Sequence, residues 1–434
     1  MARPPSVDQL ARSLKHQDLP HPILVEVARS AIAEDRVSEA DVMARARKRS
    51  MLTPVINATG VLLHTNLGRA PFGIDVAASY SNLELSLESG RRGSRQRAVG
   101  DTLATACGAE AAMVVNNCAG AVLLTLAALG AGRGVAVSRG EMVEIGGGFR
   151  IPDVMRQSGA RLVEVGTTNR SRLSDYTQAA ADDEDLGMVL KVHRSNYEIV
   201  GFTEDVEIDE LHQAFHSGQD SDSDHPDVAI VADIGSGLLD AACPWLTGPP
   251  PKWLADEPAA KQTLEAGADL VLFSGDKLFG GPQAGIIAGN RDLVERCGKH
   301  PLARALRPGD LVLQAMQAVT LAYLDRRGDD IGFWRMAVAD ISELEARAKA
   351  ICENVNGSTL SIKPTATEAV PGGGTLPTVT FPSFGIRVNR DVTEQLRAAE
   401  RPIVARVDQG STILDMRTID PADDNQIIAG LSQL

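Results

Sequence analysis

The sequence predicts an α/β fold: a mainly parallel sheet covered by helices, preceded by a small helical domain and followed by a smaller α+β domain. Three observations point to it. Short apolar runs alternate with helical stretches from residue 112 to residue 288. The runs are continuously apolar, as strands buried on both faces are. Polar clusters fall at their carboxyl ends, where open α/β sheets gather ligands.

The chain has 434 residues, more than a single core usually serves, so one large domain with attachments is expected. Its first 50 residues carry net charge +2, whereas the remainder carries −16. Ile23, Val27 and Ala31 fall on a helical period, and Ser38 with Asp41 resembles a helix start ahead of Val42 and the basic run 44–48. Residues 1–52 therefore read as a helical domain. Composition alone fits an arm that packs on a neighbouring subunit and leaves its basic face solvated.

A large domain is expected over 53–308. It opens with VINATGVLLHTNLGRAPFG, an irregular stretch of the kind that lines sites, in which Arg69 could hold an anion. GRRGSRQR, residues 90–97, then places four arginines in seven positions and reads equally as a phosphate-binding loop or a solvated one. Strands are predicted at 112–115, 134–138, 162–165, 188–192, 228–232, 270–273 and 284–288, with helices at 119–129, 152–158, 173–181, 208–215 and 261–266. The acidic insertion 216–227, HSGQDSDSDHPD, reads as a mobile surface loop. Residues 309–434 offer helices at 311–324 and 338–355, then strands near 378–381, 403–407 and 412–416.

Several function classes are excluded. The sequence contains no apolar run of membrane-spanning length and no signal-sequence pattern, so a cytoplasmic protein without membrane contact is expected. Five scattered cysteines lack metal or redox spacing. A net charge of −14 confines any nucleic-acid contact to a local surface. No dinucleotide fingerprint follows the first strand.

The chemistry centres on LVLFSGDKLFGGPQAGIIA, residues 270–288, where an apolar strand ends in Ser274, Gly275, Asp276 and Lys277. A lysine in such a place either snorkels to solvent or serves a task, because a buried ammonium loses several kcal/mol of hydration. The task with a known chemistry is covalent attachment of pyridoxal phosphate, which needs an acid at the pyridine nitrogen and a helix N-terminus at the phosphate. Asp233 ends an apolar strand 44 residues earlier and could be that acid, or merely cap its turn. Asn117, Cys118 and Ala119 stand between a strand end and a helix start, so their amides could form the phosphate cup. His193 and Asn196 are candidates for the cofactor ring and its phenolic oxygen, and Ser274 lies beside the lysine.

VINATG, LHTNLGRA, VSRGEMVEIGGGFRIPDVMRQSG, VGTTNR, DIGSG, FSGDKLFGGPQAGII and HPLARALR together resemble the bacterial selenocysteine synthases, the L-seryl-tRNA(Sec) selenium transferases. The resemblance covers roughly residues 54–310. It implies the aminotransferase-like fold, type I among pyridoxal phosphate enzymes, with Lys277 as the Schiff-base lysine, Asp233 as the pyridine-nitrogen partner, and Asn117 with Cys118 in the phosphate cup. Arg69, Arg304 and Arg307 match the arginines that hold the phosphate of selenophosphate. A large ring-shaped homo-oligomer built of dimers, and an N-terminal domain that grips tRNA, are also implied. The chain departs from the family pattern in a short N-terminal segment that matches weakly around PPSVDQL, and in Cys118, where an asparagine is expected.

The reaction so implied converts seryl-tRNA(Sec) to selenocysteinyl-tRNA(Sec) with selenophosphate by way of dehydroalanyl-tRNA. Thr167, Thr168 and Asp276 are the candidates for protonating the departing hydroxyl. A lyase of the same fold acting on a small amino acid or amino-sugar acid phosphate would use the same lysine. A cofactor-free scaffold would have no need of Lys277, Asp233 and Asn117 together.

Overall fold

The computed structural model describes residues 5–73, 79–145, 148–216, 228–357 and 359–434. The acidic insertion lies, from 217 to 227, outside the described residues. The chain forms two compact units: Met1–Ile56 with Thr393–Val404, and Asn57–Val392 with Ala405–Leu434.

The larger unit is built on a seven-stranded sheet of β1 (Ala111–Val115), β2 (Gly134–Ser138), β3 (Arg161–Val165), β4 (Leu186–Val192), β5 (Ala229–Gly235), β6 (Leu270–Ser274) and β7 (Gly285–Gly289). Their order across the sheet is β1-β7-β6-β5-β4-β2-β3. The pairings β2–β3, β2–β4, β4–β5 and β5–β6 are parallel, whereas β7 runs antiparallel to both β1 and β6. Val114, Ile286 and Phe273 stand side by side and enter one apolar core, while their neighbours Met113, Ile287 and Leu272 enter the other. Two covered faces explain why these strands read as unbroken apolar runs.

The predicted helices of this unit are present with shifted ends. The stretch expected at 119–129 is a helix only over Cys118–Thr125, and the chain then widens into a π turn, Leu126–Gly130. The helix expected at 338–355 is Ile341–Asn354, started by the Asp340 side chain, which accepts from Ser342 N. The strand expected near 378–381 is instead Phe381–Val388, and it pairs with a strand the periodicity did not reveal, Ile362–Ala369. Ser411–Asp415 adds to the other side of Phe381–Val388, followed by Arg406 to Asp408 of the next strand, giving an antiparallel sheet.

The smaller unit packs helices α1 (Val7–Ser13), α2 (His21–Ala33) and α3 (Ala40–Arg49) around Leu10, Leu14, Leu24, Val27, Ala31 and Ala44. A capping box at Ser6 and Gln9 starts α1. The Arg49 guanidinium donates to the carbonyl of Ala398 at 2.7 Å, tying in the segment Thr393–Val404. Arg45, Arg47 and Lys48 are exposed on α3.

Candidate active site

The turn after β6 is fixed by hydrogen bonds. Gly275 N donates to Ala284 O at 2.9 Å, Gly281 N to Gly275 O at 2.8 Å, and Leu278 N to Ser236 O at 2.9 Å. Tyr323 closes it from below: its hydroxyl lies 3.1 and 2.9 Å from the carbonyls of Leu278 and Phe279 and accepts from Trp334 Nε1 at 2.7 Å. Held in this turn, Lys277 is only 6% exposed and makes no ion pair among the described residues. Burial therefore holds its ammonium below the ordinary lysine value, with the Cys118 and Asp233 side chains opposing.

Asp276 is bound from both sides. Its Oδ1 accepts from Ser274 Oγ at 2.6 Å and its Oδ2 from Arg69 Nη1 at 2.6 Å. Arg69 sits at φ +64°, a left-handed conformation uncommon for a residue with a Cβ, and its buried Nε has no partner among the described residues.

Asp233 is 5% exposed, and burial raises its pKa, with Lys277 opposing. Its Oδ1 lies 3.6 Å from Cys118 Sγ, and burial pushes that thiol well up, so Cys118 is a neutral donor to the carboxylate rather than a nucleophile. A methyl group placed on Gly235 would lie 3.8 Å from Asp233 Oδ1, 3.8 Å from Ser195 Oγ and 3.9 Å from Lys277 Nζ. The lysine, the acid and a buried serine hydroxyl thus converge on one point.

Asn117 caps the helix Cys118–Thr125 by accepting from Gly120 N at 2.8 Å. The amides of Cys118 and Ala119, at the first two helical positions, have no intrahelical acceptor and carry the positive end of the helix dipole. The close approach of β7 to this cup requires glycine: a Cβ on Gly285 would lie 2.1 Å from Asn117 O. Asn116 N donates to Leu306 O at 3.0 Å, which ties the backbone beside Arg307 to the same edge.

Arg304 is exposed and has no ion pair among the described residues. Arg307 lies 3.5 Å from Glu84, which also accepts from Arg95 at 2.9 Å and Arg92 at 2.8 Å. These guanidinium groups hold the Glu84 carboxyl below its ordinary range, Arg95 most strongly. The arginine-rich loop is therefore neither free nor a simple anion cup, because Glu84 engages two of its four arginines.

His193 N donates to the backbone O of Asp233 at 2.9 Å, which continues the β4–β5 ladder past Val192. Asn196 is exposed, and its amide donates to Glu144 O at 3.0 Å. The structure does not bring Thr167 and Thr168 to the lysine. They follow β3, the edge strand four positions from β6, roughly 19 Å away at the usual strand spacing. Thr167 instead lines a separate cavity of about 620 Å³ with Arg139, Arg161, Arg170 and Arg172.

Ser195, Ser236 and Glu257 are buried polar residues here to which the motifs assign no role. Ser195 follows β4 two residues after His193, among the polar residues at the carboxyl end of that strand. Ser236 Oγ has no partner among the described residues. Glu257, in the loop WLADEPAA, carries no periodic or motif signal.

A buried amine without an acceptor, a buried acid that a cationic ring would stabilise, and two unused helix-start amides fit the donor set that pyridoxal phosphate requires. Comparison with known proteins agrees with this fit. The family model for L-seryl-tRNA selenium transferase matches residues 55–420. The L-seryl-tRNA(Sec) selenium transferase of Geobacter metallireducens is 43% identical over 402 residues, covering 88% of this chain and 83% of that one. Those of Moorella thermoacetica and Aquifex aeolicus are 43% and 40% identical, each covering 89% of this chain and 82% and 86% of their own. Among solved structures, D-glucosaminate-6-phosphate ammonia-lyase superposes with a TM-score of 0.56 at 20% identity, over 89% of this chain and 97% of that one, so the fold is shared.

Proposed function

We propose that this chain, which belongs to the L-seryl-tRNA selenium transferase family, converts seryl-tRNA(Sec) to selenocysteinyl-tRNA(Sec) with selenophosphate, using pyridoxal phosphate held at Lys277. The observation that carries the reading is the convergence of Lys277, Asp233 and Ser195 around Gly235, next to the free amides of Cys118 and Ala119.

When bound, pyridoxal phosphate forms a carbon–nitrogen double bond with an amine and takes up the electron pair left when an α-proton departs. Asp233 supplies the negative charge at the ring nitrogen, and the Cys118 thiol donates to that carboxylate. The cup formed by residues 117–119 takes the phosphate. Lys277, whose charged form burial disfavours, removes the α-proton of the seryl group. The seryl hydroxyl then leaves with a proton. Asp276, whose carboxylate is held by Ser274 and Arg69, steers that proton in this reading. The free Nε of Arg69, with Arg304 and Arg307, binds the donor's phosphoryl group while selenium bonds to the β-carbon; the selenium–phosphorus bond then breaks as water takes the phosphoryl group. Overall, selenium replaces the seryl oxygen and phosphate is released.

The basic face of α3 in the N-terminal unit is the proposed tRNA contact, recognising backbone and shape. Cytoplasmic location belongs to the same reading; no helix among the described residues is long and apolar enough to cross a membrane. So does self-association of dimers into a ring, for which the exposed Leu87, Val200 and Phe202 are apolar surface that a second copy would cover. The test is conversion of seryl-tRNA(Sec) by the purified protein with selenophosphate and pyridoxal phosphate. Lys277→Ala should abolish turnover, and a chain beginning near Met51 should lose tRNA affinity. A small amino acid eliminated in place of seryl-tRNA would overturn the assignment in favour of a lyase.

A further inference from the structure

Next to Asp233 lies a cavity of about 930 Å³, whose wall includes His193 and Glu257. Glu257 sits in the loop after Lys252–Leu254, pinned by its own amide, which donates to Leu254 O at 3.0 Å. Its carboxylate is 3% exposed, yet Oε1 has no partner among the described residues. Oε2 lies 3.5 Å from His193 Nε2, which is likewise buried without a hydrogen bond among the described residues. The two unsatisfied groups therefore face each other.

A buried carboxylate with an unused oxygen costs several kcal/mol and persists in a fold only when something compensates it. Apolar packing alone would be served better by leucine at this position. The neighbour able to compensate Glu257 is the His193 ring, and the 3.5 Å gap closes to hydrogen-bond range with a small turn of that ring. The main chain of His193 is held by its backbone N, which is bonded to Asp233 O at 2.9 Å.

We infer that Glu257 is a positioning residue for His193: it accepts the Nε2 proton, fixes the Nε2–H tautomer, and leaves Nδ1 as the ring's acceptor. Such a carboxylate orients an imidazole without touching substrate. The inference rests on the proposed function for its catalytic meaning, although the pairing itself can be read without turnover.

The test uses full-length protein with 15N-labelled histidine, with and without pyridoxal phosphate, and His193→Gln to assign the signals. Wild-type protein and Glu257→Gln, which keeps shape and acceptor, should show His193 in the Nε2–H form, whereas Glu257→Leu should shift it towards Nδ1–H. The melting temperature of Glu257→Leu should not fall, and its kcat should drop at least about tenfold with KM for tRNA unchanged. If Glu257→Leu does not fold, Glu257→Asp, whose shorter side chain withdraws the acceptor, gives the same readout. An unchanged tautomer in these variants, or equal impairment of the Gln and Leu variants, would overturn the inference. Wild-type protein that shows the Glu257-dependent tautomer but no selenium transfer would overturn the proposed function and leave the pairing standing.

Discussion

Arg69 combines two energetic terms that a pair of substitutions can separate. Replacing it by alanine removes the partner of Asp276, whose side chain is 3% exposed, and leaves that carboxylate with Ser274 Oγ as its remaining side-chain donor. Breaking a fully buried pair costs about 3–5 kcal/mol, and because the Arg69 side chain is 27% exposed, water can follow it in, so the lower end of about 3 kcal/mol applies. Arg69→Gly removes the same partner but also relieves the left-handed backbone at φ +64°. For a residue with a Cβ that conformation costs about 1–2 kcal/mol, and the greater freedom of glycine in the unfolded chain returns about 0.4–1 of it. The glycine variant should thus be more stable than the alanine variant by about 0–1.6 kcal/mol, near 0.8 at the midpoint, the reverse of the usual order. Urea unfolding of cofactor-free protein, followed by tryptophan fluorescence, measures this directly, because Trp245, Trp253 and Trp334 pack in the same core as the turn after Lys277. An alanine variant equal to or more stable than the glycine variant would refute the claim that Arg69 is held in strain.

Three further outcomes are expected. Arg304→Ala and Arg307→Ala should leave loss of water from the seryl group intact and slow selenium addition by about 10- to 100-fold each, from the loss of one charge-assisted bond of about 1.5–3 kcal/mol; rapid-quench analysis of both half-reactions decides, and equal slowing of both would move the donor site elsewhere. Because burial lowers the Lys277 pKa, its charged form is disfavoured in the folded state, so stability of the cofactor-free protein should rise with pH from that lowered value up to the unfolded one. Cofactor uptake, which needs the neutral amine, should accelerate as pH rises towards that lowered value and level off above it; an inflection at or above the ordinary lysine value counts against the burial argument, and Lys277→Met should abolish the pH-dependent gain in stability. Gly285→Ala should cost several kcal/mol and weaken binding of pyridoxal phosphate, since a methyl group 2.1 Å from Asn117 O forces the cup to move; a variant with unchanged cofactor affinity would show that the cup is not the phosphate site.

The central strands were legible because both of their faces are covered, so each appears as an unbroken apolar run. The direction of β7 was legible in principle: too few residues separate it from β6 for a parallel crossover, which needs a dozen or more. The strand Ile362–Ala369 carries no clear alternation because IKPTATEA is half exposed and interrupted by Pro364, as befits a strand paired on one side only. The early end of the helix Cys118–Thr125 also left no local mark. The residues of its π turn, LAALG, are good helix formers apart from the final glycine, and Gly130 packs closely on Val135 and Ala160.

The site was legible where its chemistry is local and illegible where it is relational. Lys277 and Asp233 each announce themselves by ending an apolar strand, and Asn117 by preceding a helix. The ion pair between Arg69 and Asp276 joins residues 207 positions apart, and the bond from Arg307 to Glu84 spans 223, so neither could be read from spacing. Thr167 and Thr168 show the converse error. They occupy a strand end just as Asp233 does, but proximity at the carboxyl edge depends on strand order, and β3 lies at the margin of the sheet while β5 lies beside β6. Ser195, with no motif of its own, gains its place because β4 is the next strand over from β5. A hydroxyl there lies with the acid and the lysine around Gly235, nearer the lysine than the two threonines of this chain, and on the proposed reading the proton to the leaving hydroxyl should be sought among Asp276, Ser195 and water before any residue following β3.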